Sequence, residues 1–245
     1  MDELLRPFDY EFFRHGLAAA TLAGALCGLV GVFVVLKGMS YIGHGLSHAI
    51  FGGFAASTLL GVNLVLGAGT WGLATALLIG GVTRRRVIGA DAAIGVITTA
   101  SFALGLALFA VHGRRGQGFD AALFGSILGV GPADVLALVL VTSGVTAAVV
   151  AFYRQLLFTT FDPEVAQASG IPIARVDALL MAILAASILA SMQVVGVTLI
   201  AATLVIPPTV ARMLTTSFPR VLLLSTVLGG STGFVGMHLS YHLDI

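Results

Sequence analysis

Eight stretches of this sequence, at 17–36, 41–61, 64–82, 92–111, 132–152, 176–192, 194–213 and 220–241, are apolar and carry no Asp, Glu, Lys or Arg through their middles. A helix of about 20 such residues crosses the hydrocarbon core of a bilayer. Within lipid, only helices and closed barrels satisfy their own backbone hydrogen bonds. The pattern predicts an all-α, polytopic membrane protein of about eight transmembrane helices, forming a single membrane domain over residues 1–245. Composition closes the soluble alternative, since 58% of the residues are hydrophobic and only 9% charged, against roughly 25% charged in soluble domains. So few charged side chains cannot cover a water-facing surface.

The 31 glycines fit helices that associate in lipid through small residues at close approach. A net charge of +1 argues against nucleic acid as a partner, because phosphate binding needs a basic face. The single Cys27, inside an apolar span, offers neither a disulfide framework nor a cysteine metal cluster. Residues 1–16, MDELLRPFDYEFFRHG, mix charges and aromatics and predict an interfacial segment ahead of the first span. The stretch 119–130 is too short to span and predicts a re-entrant or interfacial helix. His15 and His112 are expected at the interface.

Basic residues set the orientation. The joins after spans one, three, five and seven hold Lys37, Arg84, Arg85, Arg86, Arg154, Arg175, Arg212 and Arg220, and the other side holds Arg6, Arg14, Arg114 and Arg115. The first set is expected in the cytoplasm, with both termini outside. The longest cytoplasmic join, 153–176, contains a helix start: Asp162 to cap free N–H groups, Pro163 in the first turn, and Glu164 at the positive end of the helix dipole. Gly170 and Pro172 then stop it. Read from residues alone, this is an ordinary capped loop helix of about two turns lying along the membrane.

The informative polar groups lie in span two, in YIGHGLSHAIFGG. His44 and His48 are four apart, which puts both imidazoles on one helical face with roughly 5–6 Å between Cβ atoms. Imidazole suits zinc, copper, iron and nickel. The bland alternative is a hydrogen bond to backbone or to Ser40 or Ser47; for two histidines flanked by Gly43, Gly45, Gly52 and Gly53, metal contact is favoured. One helix supplies two ligands where zinc normally takes four, and a second copy across a two-fold axis would supply the rest. A second pair, His238 and His242, closes span eight, where an interfacial role is the ordinary reading and an outer metal contact the sharper one. Pro207 and Pro208 in span seven remove two donors and predict a kink or break, which serves either packing or a gate.

Several stretches, VFVVLKGMSYIGHGLSHAIFGG, RRRVIGADAAIGVITTASFALG, LFGSILGV, FDPEVAQASGI and VVGVTLIAATLVIPPTVAR, taken in order, resemble the membrane permeases of the zinc and manganese ABC-importer family. That family shares its architecture with the vitamin B12 and siderophore permeases. The resemblance implies a bacterial inner-membrane, multi-pass subunit with no permanently bound cofactor, importing a divalent transition metal. It implies three partners besides lipid: a separate cytoplasmic ATPase, an extracellular metal-binding protein, and a second permease copy or paralogue. It also reverses the bland reading of residues 162–171, since Asp162, Pro163, Glu164, Val165, Ala166, Ala168 and Gly170 match the segment that docks into the ATPase.

The family usually has Asp where this chain has His44, followed by a His matching His48. Imidazole for carboxylate shifts preference from manganese toward zinc and leaves iron open. The sequence contains no Walker A pattern, so ATP hydrolysis falls to the partner. Two other transport readings are a permease for a metal chelate or vitamin, and a gradient-driven metal transporter, which would carry more charges within its spans. A metalloprotease is disfavoured because Gly45 stands where HEXXH needs its general base.

Overall fold

A computed structural model describes residues 6–85, 88–112 and 125–243, except the side chains of residues 109, 111 and 112. Among these residues the chain is helical, with no strand: α1 Glu11–Leu36, α2 Ile42–Leu60, α3 Leu64–Arg84, α4 Ala90–His112, α5 Pro132–Ala151, α6 Tyr153–Phe161, α7 Pro163–Ala168, α8 Ile173–Val195, α9 Val197–Leu214 and α10 Phe218–Leu243. Seven of these are long and apolar enough to cross a membrane. The eighth long helix, α2, spans 19 residues but falls short in hydropathy because it carries the two histidines, two serines and four glycines. It is also largely enclosed by other helices, packing on α3, α4, α8 and α9. The least apolar span thus has protein rather than lipid around it.

Lipid-facing surfaces read directly from exposure: Leu140 is 63% exposed, Val150 69% and Leu223 66%. On a soluble protein such a surface would aggregate; here acyl chains cover it.

Small residues weld α1 to α10. Ala20, Gly24 and Gly28 on α1 meet Gly233, Gly229 and Ser225 on α10, so the two helices run antiparallel with one contact per turn. A Cβ on Gly24 would strike the Gly229 carbonyl, and one on Gly28 the Ser225 carbonyl. The Ser225 hydroxyl also donates to the Gly28 carbonyl. Close approach of bare backbone replaces hydrophobic collapse as the cohesive force in lipid.

Three expectations from sequence need revising. Residues 11–16 do not form a separate interfacial helix: a 3-10 turn, Arg6–Asp9, leads straight into α1, which starts at Glu11. Nothing between Glu11 and Leu17 breaks a helix, and Phe13 is fully buried against Phe8 and Tyr241. The sixth span runs beyond the expected 176–192, since α8 extends over the 23 residues Ile173–Val195. Finally, of the kink or break expected at Pro207 and Pro208, the break is absent, since α9 runs through both residues. Pro208 leaves the Leu204 carbonyl without its helical donor; that oxygen lies where a Cβ on Gly31 would sit, with the Pro208 ring beside it. Glycine opposite the freed carbonyl lets the helix run on. Of the 119–130 segment, only 125–130 is described, with a 3-10 turn at Ile127–Gly129; the rest, with residues 1–5, Arg86, Arg114, Arg115 and the His112 side chain, lies outside the described residues.

Candidate metal path and coupling segment

The reversal from α1 to α2 fixes the depth of the histidines. Lys37 caps α1, Gly38 turns left-handed at φ 67°, and the Met39 N–H donates to the Val34 carbonyl at 3.0 Å. Ile42 then starts α2, so His44 sits in its first turn and His48 one turn further in. Glycines flank them for a packing reason. A Cβ on Gly43 would come 2.7 Å from a Leu204 methyl on α9, one on Gly45 2.8 Å from the Thr98 hydroxyl on α4, and one on Gly52 2.7 Å from the Ser101 carbonyl on α4. Gly53 does the same for Trp71 on α3, at 2.5 Å. The expectation of close helix approach therefore holds, with neighbours from within this chain.

The two imidazole rings lie with centroids 4.5 Å apart and planes at 74°. His48 meets Phe102 edge-on at 4.9 Å, and His44 meets Tyr41 at 5.4 Å. Both histidines are half-buried. His48 Nδ1 is buried and has no hydrogen-bond partner, a state that ordinarily costs about 1–3 kcal/mol. The neighbouring Ser47 hydroxyl points to backbone, to the carbonyls of His44 at 2.9 Å and Val197 at 3.3 Å. Beside His44 opens a depression of about 510 Å³ lined by Ser40, Tyr41, Asp91, Ala201 and Val205. Asp91, in the first turn of α4, escaped the sequence reading because a carboxylate there is also what a helix N-terminus favours. Among the described residues, no three His, Cys, Asp or Glu side chains group closely enough to hold a metal together. One chain offers a pair of ligands.

His238 and His242 lie at the far end of the bundle. The His44 end of α1 is separated from the Phe13 end by more than twenty residues, roughly 35 Å at the helical rise. Their rings are 5.4 Å apart. His238 is ringed by Phe8, Phe13 and Phe234 at 5.6–5.7 Å, and its Nδ1 is buried without a partner. His242 is exposed, and His15 is half-buried in α1. The structure does not bring this pair to the His44–His48 pair.

The segment after α5 folds as its residues require. Asp162 caps α7, its carboxylate accepting from the Val165 N–H at 3.0 Å. Pro163 is the first helical residue, and Gly170 ends the segment at φ 77°. Ala166 is buried toward the bundle, while Glu164, Val165, Gln167 and Ala168 are exposed. A cavity of about 1060 Å³ lies behind α7, walled by Glu164, Gln167, Lys37, Arg84, Thr160 and Asp177. The basic residues assigned to one side by sequence, Lys37 and Arg84, thus share the end of the bundle that carries α7.

Comparison with known proteins agrees over the whole chain. A family model described as "ABC 3 transport family" matches residues 9–245. The manganese transport system membrane protein MntC of Halalkalibacterium halodurans is 37% identical, covering 100% of this chain and 82% of that protein. The chelated iron transport system membrane protein YfeD of Yersinia pestis is 33% identical, covering 97% and 80%. Among solved structures, PsaBC from Streptococcus pneumoniae in complex with Fab superposes with a TM-score of 0.86 at 32% identity, over 99% of this chain and 88% of that one. A bundle of spans enclosing a polar α2, a capped segment between α5 and α8, and these matches from end to end place the chain in the ABC 3 transport family, as a multi-pass membrane permease.

Proposed function

We propose that this permease conducts a free divalent transition metal past His44 and His48, as the membrane subunit of an ATP-driven importer in a bacterial inner membrane, with zinc preferred over manganese or iron. The observation that carries this reading is a pair of adjoining imidazoles, one with a buried and unpartnered nitrogen, at the edge of a depression that also holds a carboxylate. Imidazole nitrogens favour zinc and iron over the harder manganese. The relatives' names specify manganese and chelated iron, not zinc. A four-ligand site is completed by a second copy or a paralogue across a two-fold axis.

The partners follow from the two ends of the bundle. At one end α7 presents Glu164, Val165, Gln167 and Ala168 to a cytoplasmic ATPase, and residues 153–176 form the coupling loop. At the other an extracellular metal-binding protein delivers the ion, with His238 and His242 as an outer contact. Pro207 and Pro208 interrupt the hydrogen-bond ladder of α9 beside the path and serve as its gate, where α9 packs on α2 through Gly43.

The test is metal uptake by proteoliposomes holding the permease with its ATPase, with zinc, manganese and iron(II) each offered alone and in competition. Uptake that requires ATP and favours zinc is the expected result. Uptake without any ATPase would establish a gradient-driven transporter, and uptake of an intact chelate in place of the free ion would establish a chelate permease. Asp91→Asn is expected to lower manganese uptake more than zinc uptake, since manganese depends more on hard oxygen ligands; the ratio of the two initial rates checks it.

A further inference from the structure

One charge pair joins remote parts of the chain. Lys37, the only lysine among 245 residues, donates from Nζ to Asp177 Oδ1 at 2.7 Å, and the two side chains are only 15% and 16% exposed. The only other ion pair among the described residues, Arg14 with Glu11, is an exposed contact within α1. A largely buried pair is a poor way to gain stability, because desolvation offsets most of the attraction and an apolar pair often does as well. What such a pair does well is hold two elements in one register.

The elements it holds are the two halves of the proposed transport machinery. Asp177 lies in the second turn of α8. Between α7 and α8 the chain makes a tight turn, in which the Gly170 N–H donates to the Gln167 carbonyl and the Ile171 N–H to the Ala166 carbonyl, both at 3.0 Å. Ala166 is fully buried, and Ile171 packs on the central core. The α7 segment, its turn and the first turns of α8 therefore form one small rigid unit that ends at Asp177. On the other side, Lys37 caps α1 and opens the short reversal that delivers His44 to the first turn of α2. The pair sits on the wall of the cavity behind α7, where displacement of α7 has room to occur.

We propose that Lys37 and Asp177 are positioning residues that transmit movement of α7 to the α1–α2 reversal, so that the state of the ATPase sets the position of His44 and His48. This rests on the function proposed above. Neither residue touches the metal; each acts through the reversal.

The experiment uses the permease with its ATPase in proteoliposomes and reads metal imported per ATP hydrolysed. The variants are Lys37→Met, Asp177→Asn, the exchanged pair K37D/D177K, and the apolar pair K37M/D177L, with assembly of each complex checked by size-exclusion chromatography. Both single variants are expected to hydrolyse ATP yet import about tenfold less metal per ATP, and the exchanged pair is expected to recover most of that loss. Single variants that keep the unsubstituted ratio would overturn the proposal, as would an exchanged pair no better than the singles. Where a single variant fails to assemble, the apolar pair decides: assembled and uncoupled supports the proposal, assembled and coupled overturns it. Failure of the underlying reading shows separately, as an unsubstituted complex that hydrolyses ATP and imports no metal.

Discussion

Alanine at both His44 and His48 is expected to lower ATP-dependent zinc uptake by about a hundredfold or more, while the complex assembles and hydrolyses ATP as before. The size of the effect follows from the ligand count. On the proposed path one chain contributes two nitrogens, and among the described residues no three His, Cys, Asp or Glu side chains group closely enough to hold a metal. Removing both leaves α2 with only apolar and hydroxyl side chains, none of which competes with water for a dication. Fold loss is not the expected route, because both rings are half-buried and the tight contacts of α2 run through Gly43, Gly45, Gly52 and Gly53. His48→Ala alone is expected to cost more uptake than His44→Ala, since His48 holds the buried nitrogen without a hydrogen-bond partner. Initial rates of radioactive zinc uptake, normalised to assembled complex, check both statements. Double-alanine permease importing zinc at the unsubstituted rate would remove the histidines from the path.

The other large effect concerns the fold. Gly24→Leu is expected to abolish accumulation of folded permease, because the new Cβ meets the Gly229 carbonyl, a backbone atom that yields only if α1 and α10 separate. Overpacking of this kind costs about 3 kcal/mol in a tight interior. In lipid little hydrophobic gain opposes the separation, since exposed side chains are as comfortable against acyl chains. Gly236→Leu is the control: a Cβ there meets nothing within 4 Å, and normal accumulation is expected. Detergent-extracted yield and fluorescence-detected size exclusion compare the two, and equal monodisperse yields would refute the close-contact account of how these helices cohere.

How far the sequence reached depended on what each feature needed. The spans and the α7 cap were legible because their causes are local: an apolar run is long enough or not, and Asp162, Pro163 and Gly170 start and stop a helix wherever they occur. The i, i+4 spacing was enough to place His44 beside His48 for the same reason. Features set by a partner helix were not legible. Nothing in the residues around Pro207 and Pro208 announces that Gly31, far away in sequence, will receive the freed Leu204 carbonyl and let α9 continue unbroken. Asp91 and Asp177 each sit near a helix start, where an acid has a sufficient local explanation, and only the packing of α4 beside α2 and of α8 beside α1 brings them to His44 and Lys37. The start of α1 was set too late because aromatic and charged residues in 11–16 mark an interface by composition, whereas the buried Phe13 belongs to the core.

The measurement that bears most directly on a metal path through α2 is X-ray absorption at the zinc edge, on the zinc-loaded permease–ATPase complex in nanodiscs. Imidazole ligation gives multiple-scattering features and zinc–nitrogen distances near ~2.0–2.1 Å. The expected result is an imidazole-rich first shell in the unsubstituted complex, lost when His44 and His48 are both alanine and retained when His238 and His242 are. An unchanged spectrum in the His44/His48 variant would contradict the account.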